Sequence, residues 1–256
     1  MTSLAQRVFS VEDQERFALV SGDWNPIHLD AAYAKRTVAG AKVVHGINMV
    51  LWALDSFANA HPESEPLRSV RVQFNKFVYV GELAEVVLAK YEAASGRLNI
   101  SVGGELRSKI SISFGEPIDE CAAWEASSQY PVSILREPLD PGFEGMYGSS
   151  GRVPFQMSAE DAVALFPAAA DWFGSIRVRA LAASSYLVGM VCPGLHSIYS
   201  ALSINACTQS FSEEGLAYRV IEADERFQLI EQEIAGGGWG GSVSSLMRPL
   251  GVEKST

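Results

Sequence analysis

Two side chains near the N-terminus have the types and the spacing to move protons. Asp23 and His28 stand five residues apart in the run Ser21-Gly22-Asp23-Trp24-Asn25-Pro26-Ile27-His28. A carboxylate beside an imidazole can take a proton from water, and return one, near neutral pH. Pro26 lacks a backbone N–H and pushes Asn25 out of the α region, so a non-helical turn is expected to aim both groups at one point. Gly22 removes bulk just before the carboxylate. The same residue types also form ordinary turns, and taken alone such a cluster is most often only structural.

The longer stretch from Phe17 to Ala34 resembles the signature of the MaoC-like, (R)-specific enoyl-thioester hydratase family, which has the hot-dog fold. Phe17, Ser21-Gly22-Asp23, Asn25-Pro26-Ile27-His28 and Ala34 carry the match, and His45-Gly46 follows at the family's own distance. The resemblance implies that Asp23 and His28 grip one water molecule and add it across the double bond of a 2-enoyl thioester. Run backwards, the same pair would dehydrate a 3-hydroxyacyl thioester. It implies an acyl-CoA or acyl carrier protein substrate, with no further cofactor and no metal. Gly46 is expected to complete the catalytic set by offering a helix-start N–H to the thioester oxygen. Packing alone is the competing reason for a glycine there. Asn25 is expected to brace the loop and, with His45 and Ile47, to border the substrate. Two rivals keep the fold and change the chemistry: an acyl-thioesterase, and an acyl-thioester-binding protein without turnover.

The elements that must position these residues are legible as patterns. Ser10 with Asp13 is a capping-box start for a helix that ends at Ser21-Gly22. From Gly46 to about Ala60 the chain is apolar nearly all round, as in a helix wrapped by a sheet. Alternating runs follow at 69–79, 84–91, 98–102 and 109–114, each a strand bounded by turn residues. Residues 1–118 are therefore expected to form an N-terminal hot-dog, and the proline- and glycine-rich residues 119–157 a linker. Residues 158–256 read as a second, degenerate hot-dog, because Ser158, Asp161, Asp171-Trp172, Gly194 and Ala201-Leu202 each stand 148 residues after a like residue. In that register Phe173-Gly174-Ser175-Ile176 replaces the motif, Pro193 replaces His45, and His196 falls early in a second buried helix. Asp171 reads as structural. Further strands are expected at 217–234 and 242–250. The expected fold class is α+β, a double hot-dog whose two curved sheets pair as a pseudo-dimer within one chain, or as a homodimer of such chains.

Composition narrows the partners. A formal charge of −10 argues against nucleic acid, which requires a basic footprint. No apolar run is long enough to span a bilayer as a helix, and Met1–Gln6 opens without a signal-peptide pattern, so a cytoplasmic protein is expected. Cys121, Cys192 and Cys207 fit neither a disulfide framework nor a zinc site and are expected to be reduced. The glycines of 236–241 lack a phosphate-loop context and read as a wide hairpin turn. Lys35, Arg36, Lys42 and Lys76 could meet substrate phosphates or an acidic carrier, with plain surface charge as the default.

Overall fold

The computed structural model describes residues 2–119, 134–208 and 215–248. In the first half, β1 (Thr2–Val8) and α1 (Val11–Ser21) precede two short helices, α2 (Pro26–Leu29) and α3 (Ala31–Lys35). The central helix α4 (Gly46–Ala60) follows, then β2 (Leu67–Phe74), β3 (Leu83–Glu92), β4 (Ser95–Val102) and β5 (Glu105–Phe114). The second half contains α5 (Phe143–Met146), β6 (Ser150–Pro154), α6 (Ala159–Leu165), α7 (Pro167–Phe173) and α8 (Ser175–Tyr186). A π-helical turn, Leu187–Val191, extends α8 before β7 (Ser197–Ala206), β8 (Gly215–Asp224), β9 (Leu229–Gly236) and β10 (Trp239–Met247).

These strands make one sheet in the order β1-β3-β4-β5-β2-β7-β10-β9-β8-β6, with each of these pairs antiparallel. The order reads the same from either end once each strand is matched with its counterpart, so a pseudo-twofold axis runs through the β2–β7 pair. That pair joins the halves from Ser69 opposite Asn205 to Gln73 opposite Ala201. The sheet wraps α4 on one side of the axis and α8 on the other. Both helices are buried: Ile47, Val50, Leu51, Leu54 and Phe57 in the first, and Val178, Leu181 and Leu187 in the second helix and its extension. Each such side chain contributes roughly 1.5–3 kcal/mol of transfer free energy. The α+β double hot-dog is the fold observed.

Local chemistry explains the element boundaries. Ser10 and Asp13 form the reciprocal capping box of α1, and Ser158 and Asp161 repeat it on α6. Gly22 closes α1 in the left-handed conformation. Pro26 does not exclude a helix. It occupies the first turn of α2, where a missing N–H is harmless, and Asn25 caps it through Ile27 N at 3.2 Å. The expected non-helical turn is thus confined to residues 22–25.

Several further expectations change. Residues 150–154, placed in the linker, form edge strand β6 on β8, and Val153 and Phe155 belong to the core. Part of the linker, residues 120–133, lies outside the described residues. The repeat spacing of 148 holds for β1 against β6 and for the two capping boxes, then fails. α7 ends at Phe173 and α8 begins at Ser175, so the second half has no equivalent of the 25–45 loop. The second central helix therefore spans 175–191, and Ala201-Leu202 lie in strand β7. His196 precedes that strand and pairs with Asp140 at 3.6 Å. Cys207 is disulfide-bonded, while Cys192 is a buried free thiol and Cys121 falls outside the described residues. The glycine run makes a tight two-residue turn at Gly237-Gly238, not a wide one.

The halves are also joined by a shared helix cap. α7 begins with Pro167 and has no side-chain cap of its own, and Asp55 on α4 supplies one, accepting from Ala169 N at 3.0 Å. Asp55→Ala should lower stability by about 1 kcal/mol, the usual worth of such a cap. The check is the urea midpoint at unchanged slope.

Candidate active site

A cavity of about 450 Å³ opens between the two central helices. Asp23 and His28 lie on its wall, with Gly46 beside them. Its other walls come from Phe74–Tyr79 in the first half, and from the second half's helix and strands β7 and β10.

α1 delivers Asp23 into the wall, where the residue is 2% exposed. The Ser185 hydroxyl donates to its Oδ2 at 2.6 Å and Asn25 N donates to Oδ1 at 3.2 Å. Burial pushes the Asp23 carboxyl upward, opposed by His28 and by these two donors. A Cβ at Gly189 would sit 2.2 Å from Asp23 Oδ1, so only glycine lets the π-helical turn approach the carboxylate.

His28 sits on α2 and its Nδ1 is 2.9 Å from Val43 O. A carbonyl can only accept, so Nδ1 carries the proton and Nε2 keeps its lone pair in the neutral ring. Burial lowers the His28 pKa, opposed by Asp23 and by the Val43 carbonyl, with the Arg248 charge adding to the lowering. The ligand atoms of Asp23, His28 and His45 all lie within 4.8 Å of one another. His45 stacks on His28 with ring centroids 3.8 Å apart. Burial first, and the neighbouring His28 second, hold it well below its ordinary value. The neutral His45 ring has a single N–H for the two oxygens it faces, Gln14 Oε1 at 2.9 Å and Asp23 O at 3.1 Å.

α4 begins at Gly46 with no side-chain cap, which leaves the N–H groups of its first turn uncapped beside the cavity. Packing also requires a small residue: a Cβ there would meet the Phe74 ring at 2.9 Å.

The three residues expected to border the substrate stand elsewhere. Asn25 is buried behind the wall and clamps the turn to the second half, its Nδ2 donating to Gly189 O at 2.9 Å and to Gly194 O at 3.2 Å. His45 is fully buried behind His28, and Ile47 faces the core. None of the three is on the cavity wall. Asp171 is exposed on α7, and His61 stacks on Phe57. Lys35 and Arg36 are surface residues, whereas Lys76 lines the cavity and pairs with Glu105. Ser185 and Gly189 were missed in reading the sequence. The one available signal was the pair Ser184-Ser185 inside the otherwise apolar run from Ala180 to Val188.

Comparison with known proteins adds a family match over part of the chain. Residues 3–109 match the MaoC like domain. A 76-residue segment is 36% identical to a mitochondrial 3-hydroxyacyl-[acyl-carrier-protein] dehydratase of Arabidopsis thaliana, covering 30% of this chain and 45% of that protein. The chain thus spans about half the length of that curated relative. Among solved structures, a MaoC-like dehydratase is 12% identical with a TM-score of 0.57, covering 94% of this chain and 95% of the other. A MaoC domain protein of Chloroflexus aurantiacus is 10% identical with a TM-score of 0.55, covering 98% and 95%. At such identity these two structures speak for the fold alone, and it is the whole double arrangement that they share. Residues 3–109, in the first half of the chain, therefore match a MaoC-like domain, set within a double hot-dog fold.

Proposed function

We propose that the chain is a hydro-lyase acting on acyl thioesters, an (R)-specific 2-enoyl-thioester hydratase and 3-hydroxyacyl-thioester dehydratase. The observation that carries this reading is the placing of a buried carboxylate and a neutral imidazole side by side on a cavity wall, next to the uncapped start of α4. The substrate class is drawn from the family and from the name of the Arabidopsis relative. In the hydration direction, Asp23 and His28 Nε2 hold a water against the β-carbon. As the water oxygen bonds to that carbon, one of its protons passes to the pair and the double-bond electrons move toward the thioester oxygen. The N–H of Gly46 receives that developing charge, favoured by the helix dipole. The pair then returns a proton to the α-carbon on the same face. Dehydration is the reverse sequence, so no redox partner is required.

The test follows loss of the conjugated enoyl-thioester absorbance together with free thiol. Absorbance loss without thiol is expected. Thiol release would make the protein a thioesterase, and silence on both readouts would make it a binding protein. Asp23→Asn and His28→Gln should each lower kcat by about 10²–10⁴-fold, the usual contribution of a general acid–base group. Rates near wild type in both variants would remove the assignment.

The pH profile separates the roles further. His28 must be neutral to act, and burial holds its pKa below the ordinary 6.5, so the acid limb of kcat/KM should fall below that pH. Asp23 must be ionised as well, and the Ser185 hydroxyl lowers its pKa, so Ser185→Ala should raise it and move the acid limb to higher pH. The plateau rate should fall about ten- to hundredfold, the scale of one hydrogen bond to a charged group. An unmoved limb would leave Ser185 with a packing role only.

A further inference from the structure

Strand β7 changes face where it meets the cavity. Leu202, Ile204 and Ala206 point into the core, and strict alternation would turn Ser200 inward and Tyr199 outward. The ladder to β10 slips at that point: Ser244 stands opposite Ala201, but Ser245 stands opposite Tyr199. Ser200 is the extra residue of a β-bulge, and a bulge re-aims the side chain next to it. Tyr199 therefore shares the inner face with Ser245, which is fully buried, and it lines the cavity.

The ring is held at both ends. Its hydroxyl donates to Ser184 Oγ on α8 at 3.1 Å, and Ser184 Oγ donates in turn to Leu181 O at 2.7 Å. The next residue, Ser185, is the one that donates to Asp23. On its other side the Tyr199 ring packs against Phe74 with centroids 5.2 Å apart, and the Phe74 ring abuts Gly46. Tyr199 thus bridges the two halves, from the helix start proposed to hold the thioester oxygen to the helix that holds the carboxylate. A thioester seated there extends in two directions. Its carrier arm leaves toward the exposed residues Asn75 and Lys76, and its acyl tail points to the interior, among Met49, Val188 and Tyr199. We propose that Tyr199 is a specificity-determining residue: its ring, turned inward by the bulge, fills the space beyond the reacting carbons and restricts the protein to thioesters of short acyl chains. The assignment deepens the thioester reading above and rests on it. The half that lacks the Asp-His motif thereby sets the length of the acyl group accepted by the half that carries it.

The experiment measures kcat/KM for crotonyl-, hexenoyl-, octenoyl- and decenoyl-CoA in wild type, Tyr199→Phe and Tyr199→Ala. Wild type should be fastest on crotonyl- or hexenoyl-CoA and lose about tenfold or more by octenoyl-CoA. Tyr199→Ala should reverse that order, because each methylene entering the vacated space adds about fourfold. Tyr199→Phe should keep the wild-type order, since the ring remains and only its hydrogen bond is lost. If the alanine variant does not fold, Tyr199→Leu replaces it, with the same reversal expected on a smaller scale. Equal rates on crotonyl- and decenoyl-CoA in wild type would overturn the proposal. So would a uniform loss on all four substrates in the alanine or leucine variant, or a Tyr199→Phe profile shifted as far as theirs; either would make Tyr199 a brace for α8. Calorimetric binding of butyryl-, hexanoyl-, octanoyl- and decanoyl-CoA gives a readout independent of turnover. Affinity that falls beyond hexanoyl-CoA in wild type and recovers in Tyr199→Ala, without hydration of any substrate, would retain the wall and remove the hydratase reading. Hydration with rate and affinity independent of chain length would do the opposite.

Discussion

A carboxylate removed from water must be solvated by something else, and at this site the second half does much of that work. An ionised side chain at 2% exposure with no donors would cost several kcal/mol. Asp23 avoids this through a serine 162 residues further along the chain, aided by its own Asn25 amide. The π-helical turn makes the contact possible. Gly189 presents no side chain where the carboxylate stands, and its carbonyl is free to take the Asn25 amide. Local π-helical widening of this kind is often found beside functional groups. The degenerate half thus has lost a motif and kept a role.

Legibility in the sequence followed sequence distance. The capping boxes, the glycine that ends α1 and the apolar central helix are local signals, and each appears where the residues indicated. The expected meeting of Asp23 and His28 also depended on a short span. Ser185 and Gly189 act across the pseudo-twofold axis, and no spacing rule within one half could find them. His45 and Ile47 flank a glycine on the wall, but a helix start shows only part of its surface to any cavity. His45 is turned inward by Gln14 and Ile47 by the core.

The repeat misled in an instructive way. Its first part is real, and the later coincidences at Gly194 and Ala201-Leu202 extended it past the point where one half drops a whole loop. A helix and a strand can share a few small apolar residues by chance, and only the period of burial tells them apart. The missing loop also explains the single site. In the first half the chain between α1 and α4 carries Asp23, Asn25 and His28. In the second half only Gly174 separates α7 from α8. On that side of the axis Trp172 packs with Phe57 at 5.3 Å and Phe114 at 6.3 Å.

Fusing the two halves has a kinetic meaning. When a catalytic wall is assembled from two separate chains, dilution takes it apart, and function depends on how much protein is present. Here β2 and β7 close the sheet within one polypeptide, so the encounter between the halves is intramolecular and set by the tether. Scarcity of the protein cannot unmake that encounter, and each half can vary without having to remain a partner for its own copy.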